Sequence, residues 1–306
     1  MVSKMDRLRA FEIFTTVVAR GSFVRAAEAL DTSPANVTRY IVELETHLGT
    51  RLLNRSSRKL SLTESGEALY ERSRQILEEV AEAEALASAT TLRPRGRLRL
   101  NVPVSFGILH LAPLWPLFME RYPEVELDVV LADRVVDLVE EGFDLGIRIA
   151  RGGSPTYAAR KLATSRNIVC ASPGYLLGHP PPKVPADLRE HACLGYTYAH
   201  TADEWRFTDA AGAEHVVKVR YAIHTNNGDT ARAAAIAGRG VIWQPTFLIG
   251  ADLRARRLVE LLPGYRLPDI DVLAVYPSRR HLSAKVRVMV DFLVQAFAGK
   301  QAPWDR

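Results

Sequence analysis

Between Ser22 and Leu62 two short amphipathic segments sit back to back, and few folds accept that arrangement. Phe23, Ala26, Ala27 and Leu30 recur at helical spacing on one face, and Val37, Ile41, Leu44 and Leu48 do so on another. Between them lies Asp31-Thr32-Ser33-Pro34. Ser33 suits a helix N-cap, and Pro34 suits the first helical turn, where its missing N–H has no partner to lose. Two helices joined by a tight turn form a helix-turn-helix, whose second helix can enter the major groove of DNA. Ser22 opens the first segment. Ser33, Asn36, Thr38, Arg39 and Tyr40 mark the polar side of the second, with groups that read base edges or hold phosphates, and Pro34 at its start joins them as a DNA-contact candidate. After Gly49 come Arg51, Arg55, Arg58 and Lys59, four cations with no acid among them between residues 51 and 59. This basic, turn-rich stretch is flanked by Leu52-Leu53 and Leu60–Leu62. It reads as a short hairpin, or wing, whose cations lie along the phosphate backbone or enter a minor groove.

The stretch FEIFTTVVARGSFVRAAEALDTSPANVTRYIVELETHLGTRLLNRSSRKLSLTESG resembles the N-terminal DNA-binding domain of LysR-type transcriptional regulators. The likeness runs without a gap from about Met5 to Gly66. It includes Ala26-Ala27, Val37-Thr38-Arg39, Leu44-Glu45, Leu48-Gly49 and Leu62-Thr63-Glu64. Many members carry Gln-Pro-Ala where this chain has Pro34-Ala35-Asn36, a departure that bears on the operator read and not on the mode of binding.

Length and charge set the frame. A chain of 306 residues suggests two or three domains with ample material for a buried core. Apolar residues make up 47% and charged residues 25%, the mix of a globular protein. The formal charge of +5 and a pI of about 9.3 permit nucleic-acid binding without establishing it. The first twenty residues mix charged and apolar positions, so no signal peptide is read. No apolar run nears the roughly 18 residues of a membrane span. A cytoplasmic protein without a membrane partner is expected. Cys170 and Cys193 are too few for a disulfide framework and leave a redox pair or two buried free thiols as readings.

Leu8, Phe11, Phe14 and Val18 mark a first helix ending at Gly21. From Thr63 to about Thr91 one long helix is expected, with Thr63 as N-cap and Glu64 and Glu67 at the positive end of its dipole. Leu69, Ile76 and Ala83 recur every seven residues, with Ser73, Val80 and Ala87 between them. Such a helix spans on the order of 40 Å. It packs either on its own C-terminal domain or, the better reading, on a second subunit through Leu69, Ile76, Val80 and Ala83; the resemblance implies a dimerisation helix. A two-fold dimer presents two recognition helices to a dyad operator in double-stranded DNA.

Leu92-Arg93-Pro94-Arg95-Gly96 breaks the helix, and strands then alternate with helices. Strands are expected near Leu98–Val102, Val125–Leu131 and Leu145–Ile149. Helices are expected at about Phe106–Arg121 and Val135–Glu140. This βαβαβ order implies a parallel sheet. Further strands are read at Ile168–Ala171, Cys193–Tyr196, Val216–Ile223, Gly240–Trp243 and Val272–Tyr276, with helices at Asp229–Ala237 and Ser283–Phe297. That is too much for one sheet. Two α/β lobes with crossovers near 160–167 and 265–271 account for it, and the resemblance implies a fold like periplasmic binding proteins with ligand held between the lobes. The expected fold is thus α/β with an all-α N-terminal part. Residues 1–62 form a winged helix-turn-helix and 63–95 a linker helix and hinge. Residues 96–306 form a two-lobed effector domain, lobe I at about 96–163 and 268–306 and lobe II at about 164–267.

Ligands of open α/β sheets bind beyond strand carboxyl ends, at helix N-termini. Ser105 and Phe106 follow the first strand; Ser105 either caps a helix or donates to a carboxylate. Asp133 ends the second strand. Arg148 suits bidentate carboxylate binding, or a surface ion pair. Tyr196 and Thr197 follow a strand of the second lobe, Asn226 and Asn227 precede a helix, and Trp243 and Gln244 offer an aromatic wall and an amide. Together they suit a small organic acid. DRVVDLVEEGFDLGIRI resembles the version found in a large subgroup whose ligands are mostly unknown, so it selects no compound.

The leading reading is a sequence-specific DNA-binding regulator controlled by a small-molecule effector. The resemblance implies a homodimer or homotetramer, with RNA polymerase as a further partner. An alternative is a ligand-independent DNA-binding repressor whose C-terminal domain serves only oligomerisation. A solute-binding protein of a transport system fits the C-terminal lobes but not the DNA-binding stretch. An enzyme is disfavoured: there is no Gly-rich dinucleotide fingerprint, P-loop or Gly-x-Ser-x-Gly elbow, and His191-x-Cys193 lacks further ligands at metal spacing. No cofactor and no metal are expected.

Overall fold

The computed structural model describes residues 5–56, 59–87, 93–152, 156–197, 203–277, 282–299 and 302–305. The chain divides into two compact units, Met1–Arg93 and Pro94–Arg306. No helix among the described residues is long and apolar enough to cross a membrane.

The first unit begins with α1 (Arg7–Arg20), whose Arg9 N–H is taken by the Asp6 side chain and whose end is set by Gly21 in the left-handed region, φ 61°. Next come α2 (Phe23–Ala29), capped by Ser22, and α3 (Pro34–Leu48), capped by Ser33 and closed by Gly49 at φ 67°. Asp31 makes the turn between them at φ 47°, a backbone region that a short polar side chain tolerates. Ile13, Phe14, Val17, Ala26, Ala27, Val37, Ile41 and Leu44 form the core where the three helices meet. The wing is an antiparallel pair, β1 (Leu53–Ser56) and β2 (Lys59–Leu62), in the register Leu53 to Leu62. The Glu45 carboxylate accepts the N–H groups of Leu52 (2.9 Å) and Leu53 (3.2 Å), which ties the wing to α3.

The long helix α4 covers Glu64–Ala87. Thr63 caps it, its hydroxyl oxygen accepting the Gly66 N–H at 3.0 Å. Gly66 is required there: a Cβ would stand 2.0 Å from the Leu52 carbonyl oxygen. Leu69 and Tyr70 pack against the core of their own unit, and Ser73 is fully buried. Within the expected seam, Ile76 and Val80 are half-buried further along the helix.

The second unit holds two five-stranded sheets built on one plan. Lobe I contains β3 (Gly96–Val102), β4 (Val125–Leu131), β5 (Leu145–Ala150), β6 (Ala158–Ser165) and, from the far end of the chain, β15 (Ile270–Tyr276), in the order β4-β3-β5-β15-β6. Lobe II contains β7 (Asn167–Ala171), β8 (Ala192–Tyr196), β11 (Arg220–Thr225), β12 (Val241–Pro245) and β13 (Val259–Leu261), in the order β11-β8-β12-β7-β13. A small antiparallel sheet, β9 (Glu204–Asp209), β10 (Glu214–Lys218) and β14 (Tyr265–Arg266), packs onto lobe II through Trp205 and Phe207. The helices are α5 (Val104–Phe106) and α6 (Trp115–Arg121), joined by a π turn and a 3-10 turn, then α7 (Pro173–Gly178), α8 (Gly228–Ile236), α9 (Thr246–Arg254) and α10 (Ala284–Ala296). The chain crosses between lobes at Arg166 and again between Arg266 and Ile270.

Three expectations are corrected. The sheets are mixed rather than parallel: β3 runs parallel to β4 and β5, whereas β15, returning from lobe II, runs antiparallel to β5 and β6. Residues 135–140 form turns rather than a helix. The Asp137 carboxylate takes the N–H groups of Val139 (2.9 Å) and Glu140 (3.0 Å), and Tyr157 takes that of Leu138, which leaves few donors for helical bonds. The stretch Val216–Ile223 is two strands in different sheets, with Val219 between them.

Candidate functional site

The DNA-facing candidates lie on α2, α3 and the wing. Ser22 and Ser33 accept the N–H groups of Arg25 (3.4 Å) and Asn36 (3.2 Å), so each hydroxyl retains its own proton to donate. Pro34 and Arg39 are exposed, while Asn36, Thr38 and Tyr40 are half-buried. Thr38 donates to the Pro34 carbonyl. Arg39 donates to Glu43 (3.0 Å) and Asn36 (2.8 Å) and lies over the Tyr40 ring at 4.9 Å. Asn36 also donates to Thr32 at 2.9 Å. The polar face of α3 is thus a connected chain, Thr32–Asn36–Arg39–Glu43, in which Arg39 is held by an acidic and an amide partner. Arg55 stands on β1 and Lys59 on β2, opposite Leu60 and Ser56. Arg58 lies outside the described residues. So does the side chain of Ala83, the last of the four seam positions after Leu69, Ile76 and Val80.

The effector candidates fall into two groups. Three consecutive residues at the start of α8 touch three others from both lobes. Asn227 donates to Asp133 at 3.3 Å across the lobes. Gly228 lies against Gln244, where a Cβ would come within 3.5 Å of the amide oxygen. Asp229 accepts the Ser105 hydroxyl at 2.6 Å, again across the lobes. Asp133 also accepts the Val104 N–H at 3.0 Å, capping the start of α5. Tyr196 pairs with Thr225 along the edge of β8, and Thr197 donates to the Thr225 carbonyl at 2.8 Å, two residues before Asn227. Asp229 was not among the sequence candidates. Its place in a first helical turn reads as dipole compensation, and only the other lobe reveals its partner.

The second group is diverted elsewhere. Phe106 is fully buried among His110, Phe247, Phe297 and Trp304, in the core rather than on a cleft wall. Trp243 points to the other side of its strand from Gln244, because side chains alternate, and meets Trp205 at 5.8 Å. Asn226 is exposed. Arg148 spends its fork on Asn101 and on the carbonyls of Ile147 and Val136. Burial lowers its pKa from the usual guanidinium value, yet it stays charged at neutral pH. Two surface cavities, about 440 Å³ beside Ser172 and Gly238 and about 770 Å³ beside Arg189 and Tyr221, include none of the effector candidates in their linings.

Residues 8–67 match the family described as bacterial regulatory helix-turn-helix protein, lysR family, and residues 92–298 match the LysR substrate binding domain. The chain belongs to the LysR family of transcriptional regulators. It is 36% identical to the HTH-type transcriptional regulator DmlR of Escherichia coli K12, over 97% of this chain and 96% of that one. It is 34% identical to CrgA of Neisseria meningitidis, whose solved structure covers 94% of this chain with 97% of its own and superposes with a TM-score of 0.59. The full-length structure of AphB, the Vibrio cholerae virulence activator, is 28% identical with a TM-score of 0.60, covering 94% of this chain and 98% of that one. This LysR-type protein is a regulator with a helix-turn-helix and an effector-binding domain, not an enzyme.

Proposed function

We propose that this LysR-type regulator reads a dyad operator through α3 and the wing, as a cytoplasmic homodimer or homotetramer joined through α4, and that an organic acid bound between the lobes of its effector domain controls it. The observation that carries the DNA-reading part is the exposed Ser33–Arg39 face of a capped helix, rigidly tied to a basic hairpin through Glu45. Ser105, Tyr196, Thr197, Asn227 and Gln244 favour a ligand with acceptor oxygens. RNA polymerase is the further partner this reading invokes.

Footprinting on the DNA upstream of the protein's own gene, at fixed salt, tests it. A protected site with inverted symmetry is expected. Arg39→Ala should weaken binding there about tenfold or more and blunt its sequence preference. Protection by Arg39→Ala equal to wild type would remove Arg39 from the readout. Failure of the folded protein to bind any DNA would overturn the reading.

A further inference from the structure

A basic cavity of about 770 Å³ on lobe II shares no lining residue with the polar contacts between the lobes. Three chain segments build it: the 3-10 turn Pro185–Glu190, the end of β10 with the step into β11, and β11 itself. Arg189 comes from the turn, and Lys218 and Arg220 stand on either side of Val219. Val219 is buried, so its two neighbours both point outward, because side chains alternate along an extended chain. Asp203 is the one acid in the lining among the described residues, and it holds the Lys218 ammonium at 3.2 Å. Arg189 and Arg220 have no ion pair among the described residues. Three cations against one acid leave a net charge of +2 before His224 is counted.

The wall beside these cations is aromatic. Tyr221 is half-buried, and its hydroxyl oxygen accepts the Trp205 Nε1–H at 2.8 Å, which fixes the ring. The exposed His224 ring meets it edge-on at 4.5 Å. A volume between about 300 and 1,000 Å³ is that of small-molecule sites. We infer that this cavity is a second ligand site, for a phosphate monoester that carries a planar ring, such as a nucleoside monophosphate. Above its second pKa near 6 such a phosphate bears about two negative charges, which match the net charge of the lining. The arginine forks take phosphate oxygens two at a time, while the Lys218 ammonium adds charge without leaving Asp203. The ring of the ligand lies against Tyr221 and His224. A plain monocarboxylate would leave one cation unmatched, and a ligand without a ring would leave that wall uncovered. The site is independent of the interlobe effector reading.

The test uses the full-length protein in calorimetric and thermal-shift titrations at pH 7.5 and constant ionic strength. The probes are AMP, ribose 5-phosphate and adenosine. AMP is expected to bind and to raise the melting midpoint. Ribose 5-phosphate should bind about tenfold weaker for want of the ring, and adenosine should give no shift at the same concentrations. Arg189→Ala and Arg220→Ala each remove charge-assisted bonds and should weaken AMP about 10- to 100-fold. Both side chains are exposed, so both variants should keep the wild-type midpoint without ligand. Arg39→Ala, on the DNA-reading helix, should leave AMP binding unchanged, which separates this cavity from phosphate capture by the DNA-binding face. AMP that does not bind at millimolar concentration overturns the inference. So does binding that survives both Arg189→Ala and Arg220→Ala, binding that Arg39→Ala abolishes, or ribose 5-phosphate as tight as AMP.

Discussion

His110 shows how a single residue ties stability to pH. Its ring sits among Phe106, Phe247 and Trp304, and its Nε2 bonds the Phe247 carbonyl at 2.7 Å. Burial lowers its pKa, and the carbonyl bond offsets this only in part. Between the lowered folded value and the ordinary one near 6.5, the unfolded chain binds the extra proton, so stability rises with pH in that window and falls as pH drops below about 6.5. His191, buried near His179 and lowered for the same first cause, adds a slope of the same sign. The melting midpoint is expected to fall between pH 7.5 and 5.5. His110→Gln, which keeps a donor but does not titrate, should show a visibly smaller fall, and an unchanged slope would place the titration elsewhere. The cysteines illustrate a residue-scale question that strand register answers. Cys170 pairs with Ile242 and Cys193 with Val241, on either side of β12. They face different cores, and two strand spacings separate them, beyond the reach of a disulfide. Burial pushes both thiols up, Cys193 to about 12, so neither is a ready nucleophile.

At the scale of elements, close approach and buried charge decide which changes are costly. Gly66→Ala puts a methyl group against the Leu52 backbone carbonyl, which cannot swing aside as a side chain could, and must push α4 away from the segment leading into the wing. A loss of about 1–3 kcal/mol is expected in denaturant unfolding of the N-terminal unit; a stable variant would mean that α4 shifts freely. On α9, Asp252 is fully buried. Burial alone would raise its carboxyl pKa, but Arg232 and Arg257 together hold it below the usual carboxylate range. Its contribution is therefore present above the unfolded carboxylate pKa and fades as pH falls toward the lower folded one. Arg232→Ala leaves that buried charge with only the half-exposed Arg257 and should cost about 3 kcal/mol. Measured unfolding within about 0.5 kcal/mol of wild type would show that Arg257 alone suffices.

For the whole molecule, the proposed assembly turns one reading head into a pair. Leu69 serves its own unit, so the subunit contact is expected to lie further along α4, at Ile76 and Val80. Ile76→Asp places a charge in that seam and is expected to yield a monomer by light scattering, with operator affinity lost at low protein concentration. A dimeric variant would move the contact off this stripe. In lobe and sheet terms, Phe106, Phe247, Phe297 and Trp304 join the two lobes in one aromatic core, while Ser105, Asp133, Asn227 and Asp229 bridge them through polar pairs.

Local chemistry made the helices legible from the chain alone. Asp6, Ser22, Ser33, Thr63, Asn227 and Ser283 each cap a helix through a bond to a backbone N–H three residues on, and Gly21 and Gly49 end two of them in the left-handed region. Such signals act within a few residues, so the helix-turn-helix, the wing and the long helix could be read before any contact was known. The polar contacts between the lobes could not. Ser105 and Asp229 are 124 residues apart, Asp133 and Asn227 are 94 apart, and sheet order and the double crossover bring them together. Those long-range pairings also turn Arg148 toward Asn101, Trp243 away from Gln244 and Phe106 into the core. Capping is a property of neighbours in sequence, whereas the polarity of a cleft belongs to neighbours in space, and that part only the tertiary structure decided.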